Sequence, residues 1–567
     1  MKKLFSTKYW WIVLLLILVL VNYLSSFLHF RFDLTAEKRY TLSASTEKLL
    51  AGLDDQVNIT VFLNGEMPAS FTKLRNSTDE LLQEFKDAGK SKLRIKFEKP
   101  GDGLDDTAKL YFLDSIAKLG IKPYTINAQI KEGEGSEQRQ VVPGALISYR
   151  NRVSAVDLLS GQNSALDETS INRVEATLEY KFASAIQKIT EDSLPLVGYM
   201  VGNGQPLSYN VYDLIENTLK RNYHFRIFQL DSFPTIPSVF TAMVIAKPTE
   251  KFTDEQKFKI DQYIMHGGKV LWMVDNLYAE MDSLRRTQNE FIAFDRGLNL
   301  EDLFFKYGVR INQDLVQDLN CDNISTVVGD VGGKPQIQEL AWPYFPLLSN
   351  QSGHPIAKNL DYVVAQFPNS IDTVLAAGVK KTVLLSTSVR SRKLTTPAKV
   401  SWNSIQTIED KEKFNQGNIP VAVLLEGKFT SLYANRLTSQ MRDYLSALNE
   451  QFFPESNNAG KMIVIADGDL ALNQVTQKDG PLAMGMSDPL LRFKYANSEF
   501  ISNCVEYLTD DSGILETRGK DFTLRLLDQK ELEEGKTKWQ LINIIVPLLL
   551  VFLFGTVFQI IRRRSYR

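Results

Sequence analysis

The sequence contains little cysteine and little histidine, and this scarcity removes several classes of protein. There are two cysteines, Cys321 and Cys504, and they lie far apart in the chain. A disulfide scaffold and a C-x-x-C metal or redox site are therefore excluded, although one long-range disulfide between the two stays open. The four histidines are scattered and form no H-E-x-x-H motif, so no zinc-hydrolase site is predicted.

Signals for nucleotides, nucleic acids and hydrolytic nucleophiles are also missing. No G-x-x-x-x-G-K-[ST] loop occurs, so the chain is not predicted to bind and hydrolyse ATP. No G-x-S-x-G elbow occurs either. The formal net charge is only −2, from 65 basic and 67 acidic residues, and this balance creates no global field for nucleic acid. We predict no cofactor, no metal and no nucleic-acid partner.

Two long apolar stretches lie near the ends of the sequence. Residues 9–30 and 539–561 contain no Asp, Glu, Lys or Arg, and each is long enough for a membrane helix of about 20 residues. Lysines precede the first stretch and arginines follow the second, so the positive-inside rule predicts that both termini are cytoplasmic. We predict a two-pass protein with an anchor in residues 1–30; a cleaved signal peptide stays open there.

The clearest local pattern is a β-α-β unit in the middle of the chain. Apolar runs at 242–246 and 270–274 show no alternation, which is typical of parallel strands covered on both faces. Thr253 and Gln256 have the spacing of a capping box and predict the start of the helix between these strands. Gly267 predicts its end, since glycine readily adopts a left-handed cap.

The order of predicted elements divides the rest of the chain into regions. Residues 31–160 are predicted to form a small α/β domain that resembles a thioredoxin-like fold without its C-x-x-C. Residues 161–192 contain a linker helix with Ser170 as its predicted cap. Residues 193–530 are predicted to form a larger α/β domain with an inserted β-rich region. The segments predicted as loops include residues 329–334 and 392–413.

Several glycines and acids directly follow predicted strands of the larger domain. In an open parallel sheet, ligands bind at the carboxyl ends of the strands. Converging carboxylates there could hold a cation or act as acid and base. The alternative is that Asp and Gly simply suit strand-to-loop turns and helix caps. The candidate ligand crevice consists of Gly202, Gly204, Asp275, Asp467 and Asp469.

Four motifs, taken in order, resemble a known family. They are D-L-T-x-x-K-R-Y-T-L-S at 33–43, D-Q-Y-I-M-H-G-G-K-V-L-W-M-V-D at 261–275, I-A-D-G-D at 465–469 and A-N-S-E-F-I-S-N-C-V-E-Y-L at 496–508. With the two apolar ends, this set resembles the auxiliary subunits of ABC-type transport systems, including members associated with gliding motility. The resemblance extends over essentially the whole chain.

The resemblance implies a bacterial inner-membrane protein with a periplasmic body that works with a separate permease subunit and a separate ATPase subunit. It implies that the larger domain is similar to class I glutamine amidotransferases, which have a flavodoxin-like α/β fold. No cysteine lies near Asp275 to serve as the nucleophile, so we expect no amidotransferase activity. We expect a non-catalytic subunit that binds a ligand or other envelope proteins. A membrane-tethered hydrolase using the sheet-edge carboxylates and a pure envelope scaffold are the alternatives.

Overall fold

Contacts within the chain divide it into two units, Met1–Lys520 and Asp521–Arg567, which are described separately. Residues 15–20 are helical. The rest of the predicted first membrane span lies outside the described residues. The structure is a computed structural model that describes residues 15–20, 41–65, 67–121, 123–131, 134–160, 168–287, 290–331, 334–402, 408–487, 494–519 and 529–565.

The first unit begins with a four-stranded sheet and its helices. The elements in chain order are α1 (Ala44–Ala51), β1 (Val57–Val61), α2 (Ala69–Gly89), β2 (Leu93–Phe97), α3 (Asp106–Lys118), β3 (Tyr124–Lys131), β4 (Glu134–Val141), β5 (Gly144–Tyr149), β6 (Arg152–Asp157) and α4 (Glu168–Thr190). The strand order is β2-β1-β5-β6. Helix α2 crosses between β1 and β2, as their parallel pairing requires, and β5 and β6 form an antiparallel hairpin.

Helices α2 and α4 are held together by their apolar faces. The buried side chains of α2 recur at helical spacing. Phe85 of α2 meets Phe182 of α4 edge-to-face, with ring centroids 6.5 Å apart. Helix α4 begins at Glu168, so the predicted cap at Ser170 is wrong. The β3–β4 hairpin was not predicted, because β4 is polar along most of its length, although Tyr124, Ile126, Ala128 and Ile130 alternate in β3.

A second sheet begins with strands β7 (Leu196–Val201), β8 (His224–Gln229), β9 (Ala242–Ala246) and β10 (Lys269–Met273), and α5 (Asp254–Met265) joins the last two. Strands β9 and β10 pair in parallel, as predicted. The hydroxyl of Thr253 accepts the backbone N–H of Gln256 at 3.2 Å, and the Gln256 side chain accepts that of Thr253 at 2.9 Å. The predicted capping box is therefore confirmed. Gly267 follows the helix with φ +95°.

Residues 209–222 are helical and include an unusual wide turn. A 3₁₀ turn at Tyr209–Val211 is followed by a π-helix at Asp213–Leu219 and a short α-helical end. The carboxylate of Asp213 accepts the Asn217 side-chain amide at 2.7 Å and the backbone N–H of Met484 at 2.8 Å. These bonds tie the wide turn to a distant segment, information that periodicity along the chain does not contain.

The β-rich region follows β10 and contains several small sheets. Its elements are β11 (Leu277–Tyr278), α6 (Met281–Thr287), β12 (Glu290–Asp295), α7 (Glu301–Tyr307), β13 (Val309–Ile311), β14 (Asp314–Asp318), β15 (Cys321–Val331), β16 (Lys334–Leu348), β17 (Val363–Val364), β18 (Ile371–Thr373), β19 (Val379–Ser386), β20 (Ser391–Thr395), β21 (Ala398–Ser401) and α8 (Ile408–Glu412). Both loop predictions here are wrong where the chain is described; residues 332–333 and 403–407 lie outside the described residues. Residues 329–334 include the ends of the long β15–β16 hairpin, where the sequence is glycine-rich and polar although the two strands pair with each other. Residues 392–413 include β20, which is polar because its fully buried partner β14 supplies the apolar side chains.

The chain then returns to the second sheet. The returning elements are β22 (Pro420–Gly427), α9 (Ser439–Ala447), β23 (Gly460–Ile465), β24 (Val475–Thr476), β25 (Gly480–Pro481) and α10 (Asn497–Thr509). The completed sheet has the order β19-β22-β23-β10-β9-β7-β8. Strands β23, β10, β9, β7 and β8 are parallel, β22 runs antiparallel to them, and β19 pairs antiparallel with β22 at the edge. From β7 the chain proceeds to β8 on one side and to β9 on the other, so strand order reverses between β7 and β9.

Helix α10 packs against this sheet and contains one of the two cysteines. Phe500, Cys504 and Leu508 of α10 are fully buried. Both Cys321 and Cys504 are free, so the long-range disulfide left open by the sequence is wrong. Burial raises the pKa of the Cys504 thiol well above its usual value, which makes it an unreactive core residue.

The described part of the second unit is a single long helix, α11 (Gln529–Ser565). Its stretch Trp539–Arg564 is the one helix among the described residues that is long and apolar enough to cross a membrane. Its side chains are exposed in the protein alone. At 1.5 Å per residue the stretch spans about 39 Å, more than the hydrocarbon core of a bilayer. This helix therefore indicates membrane association.

Candidate functional site

Three of the predicted site residues meet at one edge of the seven-stranded sheet. Asp275 follows β10, and Asp467 and Asp469 follow β23. Strands β10 and β23 are parallel neighbours, so their carboxyl ends lie side by side. Carboxylate oxygens of the three acids lie within 4.8 Å of one another. We call Asp275, Asp467 and Asp469, with the basic residues described next, the sheet-edge cluster.

Two basic side chains enter this cluster. Lys247, directly after β9, contacts Asp469 and lies 3.4 Å from Asp275 and 3.9 Å from Glu280, measured from Nζ to carboxylate oxygen. Arg296 pairs with Glu280 at 2.9 Å. Lys247 has φ +44°, in the left-handed region that a lysine rarely adopts. The protein thus holds an ammonium group among its own carboxylates.

Backbone donors fix the orientation of the carboxylates. The N–H of Gly468 donates to Oδ1 of Asp275 at 2.5 Å. Asp467 is fully buried and accepts backbone N–H groups from Gln366 at 2.7 Å and from Asp469 at 2.8 Å. Oδ2 of Asp275 has no hydrogen-bond partner among the described residues and relies on its ion pair with Lys247. The acids therefore also form local turns and caps, which is the alternative role that the sequence allowed for them.

Burial and crowding shift the protonation of the cluster. Burial, together with the charges of Asp275 and Asp469, raises the pKa of Asp467 well above its usual value. Burial raises the pKa of Asp469 to about 6, although Lys247 opposes this rise. Burial acts to lower the pKa of Lys247, but the negative charges of Asp469 and Asp275 outweigh burial and raise the pKa above its usual value. Lys247 is therefore a firmly charged ammonium and a poor nucleophile or base.

The two predicted glycines lie at the end of β7, on the other side of β9 from the acids. Gly202 and Gly204 have φ +133° and +74°. A Cβ at Gly204 would lie 2.1 Å from the Thr249 hydroxyl oxygen, so glycine is required by close packing on the loop after β9. The carbonyl of Asn203 accepts the backbone N–H groups of Thr249 and Glu250. The glycine loop is bound by this neighbouring loop.

Lys247 and Arg296 were not predicted from the sequence. Lys247 follows β9 directly, so extending the rule of strand ends from acids to lysines would have found it. Arg296 lies after β12 in the β-rich region, and no local signal connects it with the sheet edge.

The arrangement permits two kinds of chemistry. Three carboxylates could bind a divalent cation such as Mg²⁺ or Ca²⁺, since these ions prefer oxygen ligands. A cation would have to compete with the ammonium of Lys247, which already contacts Asp275 and Asp469. Alternatively, Asp469 could exchange a proton near neutral pH. The cluster is, in its present form, an internal ion network.

Comparison with known families identifies the chain's relatives. The family model described as an ABC-type uncharacterized transport system matches residues 194–504, more than half of the chain. The chain belongs to this family. The matched segment of this ABC-type transport family contains every residue of the sheet-edge cluster and both predicted glycines. A second model, a domain of unknown function, matches residues 36–148.

Individual relatives are distant. An uncharacterized protein of Borreliella burgdorferi (strain ATCC 35210 / DSM 4680 / CIP 102532 / B31) is 21% identical over 430 residues, which cover 74% of this chain and 76% of the relative. Among solved structures, the mmIFT52 N-terminal domain is 16% identical with a TM-score of 0.30, covering 56% of this chain and 98% of that one. An exo-beta-1,4-mannosidase, Op5Man5 from Opitutaceae bacterium strain TAV5, is 11% identical with a TM-score of 0.19, covering 77% and 51%.

Proposed function

We propose that the protein is a non-catalytic auxiliary subunit of a bacterial ABC transporter complex. Its partners are a permease subunit and a separate ATPase subunit, and its body binds a ligand or another envelope protein. The observation that carries this proposal is the family match over residues 194–504. The absence of a phosphate-binding G-x-x-x-x-G-K-[ST] loop is consistent with an ATPase on another chain.

The proposal includes a membrane topology. The apolar helix Trp539–Arg564 would cross the inner membrane, and residues 1–30 would provide a second anchor. Arginines at the end of α11 and lysines at the start of the sequence support cytoplasmic termini. The body between the two anchors would then be periplasmic. The motif at 33–43 and those that follow it also resemble the gliding-motility protein GldG, and an association with gliding motility forms part of the proposal.

The proposal also assigns folds and boundaries to the body. The order β2-β1-β5-β6, with β1 and β2 parallel, supports a thioredoxin-like domain at residues 31–160. The order β8-β7-β9-β10-β23, numbered along the chain, is 2-1-3-4-5, which is the order of flavodoxin-like sheets. It supports an amidotransferase-like domain at residues 193–530 with the β-rich insertion. Residues 161–192 would be the linker.

A non-catalytic role is supported by the sheet-edge cluster. A general acid or base works best with a pKa near the operating pH and a path to substrate. Asp467 is fully buried and committed to backbone donors, and Lys247 is held charged between carboxylates. The same residues form turns and ion pairs that stabilise the edge of the sheet.

The experiment is co-purification of the tagged chain from membranes. We expect a polytopic permease and an ATPase to accompany it through mild detergent extraction. Gly555→Leu should weaken this association, because small residues let membrane helices approach closely. A Cβ at Gly555 meets nothing within 4 Å among the described residues, so a helix packed on this face in the membrane would account for the effect. Val557→Leu, on the opposite face of the helix, is the matched control. A chain that purifies alone under these conditions would contradict the proposal.

The second candidate is a membrane-tethered periplasmic hydrolase. The meeting of three carboxylates and the pKa of Asp469 near 6 are the observations that favour it. Asp275→Asn and Asp469→Asn separate the two candidates. If function in cells survives both changes in folded protein, the hydrolase is excluded. If the body is a pure scaffold instead, no small ligand should raise its melting temperature.

A further inference from the structure

A separate cleft lies in the first unit, away from the sheet-edge cluster. It has a volume of about 650 Å³, within the range of small-molecule sites. The first sheet and α4 form one side, and the helical segment 209–222, α10 and the residues around them form the other. Six cationic side chains line it, against two carboxylates, Asp157 and Glu499. The six are Arg152, Lys181, Lys188, Arg221, Lys494 and Arg518.

The three lysines of the cleft are balanced by acids. Lys494 pairs with Glu499 at 3.0 Å, and Lys188 pairs with Glu506 at 2.8 Å. Lys181 donates to the carbonyl oxygen of Ser160 at 2.9 Å, and its positive charge is attracted by the negative charge of Asp157. Burial lowers the pKa of Lys181 to about 8, and Asp157 limits that fall. The lysines therefore leave little net charge in the cleft.

The three arginines have no carboxylate partner among the described residues. Arg152 donates to the carbonyl oxygen of Glu191 at 2.5 Å, at the end of α4. Arg518 is 5% exposed, donates to Oδ1 of Asn503 at 3.0 Å, and lies 4.8 Å from the ring centroid of Tyr180. Its Nε is buried and without a hydrogen-bond partner in the described part of the chain.

Arg221 is the least committed of the three. Its side chain is exposed and lies over Gly120, where a Cβ would be 2.9 Å from Nη1. No hydrogen bond or ion pair of its guanidinium is present among the described residues. Burying a cation without an anion costs free energy, and Arg518 is the buried one of the three. The acids that line the cleft, Asp157 and Glu499, interact with Lys181 and Lys494, so the charge of the three guanidinium groups is left for another group to balance.

We propose that this cleft binds a small solute carrying phosphate or carboxylate groups, with the three arginines as its anion-binding residues. The planar guanidinium fork matches both kinds of oxyanion and binds them through paired hydrogen bonds. Uncharged polar side chains that also line the cleft, including Asn217, Ser498 and Ser502, can bind hydroxyl groups of the solute. The inference rests on the proposed function in one respect only: it gives the body of an auxiliary subunit a class of ligand.

The test uses the purified full chain in detergent without permease or ATPase. Calorimetric titration with pyrophosphate and with citrate distinguishes phosphate from carboxylate ligands, and sorbitol is the uncharged control. We expect saturable binding of at least one anion and none of sorbitol. Arg221→Gln should weaken binding about tenfold, since a charge-assisted hydrogen bond is lost, and Arg221→Lys should weaken it less. Raising the salt concentration should also weaken binding.

Two further variants serve as controls, one for the effect of charge in the cleft with the fold retained and one for the loss of an arginine elsewhere. Ser498→Glu adds a carboxylate to the cleft in the first turn of α10, where a negative charge suits the helix dipole, so the fold is retained while anion binding is lost. Arg390→Gln, an exposed position outside the cleft, should leave binding unchanged. The inference is overturned if neither anion binds up to about 10 mM, or if Arg390→Gln and Arg221→Gln have equal effects. Co-purification with the permease is independent of these results, so failure here leaves the proposed function standing.

Discussion

The sheet-edge cluster and the cleft that contains Arg152, Arg221 and Arg518 both bring many charged side chains together. The cations of the cluster are paired with acids, whereas these three arginines are not. In the cluster, Lys247 and Arg296 enter a group of buried acids, and each cation has an acid within 4.0 Å. In the cleft, Arg152, Arg221 and Arg518 form no ion pair with a carboxylate among the described residues. The two acids that line the cleft, Asp157 and Glu499, interact with Lys181 and Lys494. Both regions are lined by charged residues, and residue type alone would not separate them.

This difference indicates which of the two regions would gain free energy from a bound ligand. A charge network that is neutralised by its own members stabilises the fold and gains little from a ligand. A cleft whose charge is not neutralised gains electrostatic free energy when an oppositely charged solute enters. We therefore assign a structural role to the acids singled out by sequence, and a binding role to arginines that the sequence did not single out. Four predictions test this comparison.

The largest effect is expected when the cation is removed from the cluster. Lys247→Met leaves Asp275 and Asp469 buried without their ammonium partner, so we expect a loss of about 3–5 kcal/mol in the free energy of unfolding. Urea denaturation measures it. Lys399→Met is the control, because its ion pair with Glu290 is exposed and should contribute less than about 1 kcal/mol. Equal effects of the two substitutions would remove the structural role of the cluster.

The next effect is a pH dependence at Asp469. Folding raises the pKa of this carboxyl to about 6, mainly through burial, from about 4 in the unfolded chain. The folded state therefore binds the proton more tightly, and this contribution to stability is present below about pH 4 and lost as the pH rises through about 6. Over that window the wild type should lose about 2–3 kcal/mol relative to Asp469→Asn. Parallel stability curves for the two proteins between pH 4 and 7 would contradict this shift.

Parts of the fold could be predicted because their signals are local. The capping box of Thr253 and Gln256 and the unalternating strands around it lie within one short stretch, so periodicity and cap chemistry sufficed. The long β15–β16 hairpin could not be recognised, because glycine and polar residues at 329–334 are typical of loops as well as of self-pairing ribbons.

The candidate site shows the same limit. Asp275 and Asp467 follow apolar strands, and the rule that ligands bind at strand ends directed attention to them. The local sequences of β10 and β23 do not indicate that these two strands are neighbours in the sheet. The arginines of the cleft come from a strand start, a helix end and a 3₁₀ turn far apart in sequence. Only the packed chain brings them to one surface.

A smaller effect is expected at Arg152, which contributes to both stability and the cleft. Its guanidinium donates to carbonyl oxygens of Ile189 and Glu191, at the end of α4, where a cation also suits the helix dipole. Arg152→Gln should lower the free energy of unfolding by about 1 kcal/mol and also weaken anion binding. Thermal denaturation and calorimetry measure the two losses. Arg94→Gln, at an exposed position of β2, should show neither. Loss of stability alone would assign Arg152 to the helix end and remove it from the binding residues.

The smallest effect on stability is expected at Arg221, and it makes the comparison sharpest. Its side chain is exposed and has no hydrogen bond or ion pair among the described residues, so Arg221→Gln should change the free energy of unfolding by less than about 0.5 kcal/mol. The same substitution is expected to weaken anion binding about tenfold. Such a separation of binding from stability is the reverse of what Lys247→Met should show. A marked loss of stability in Arg221→Gln would mean that the cleft, like the cluster, uses its charges to hold the fold together.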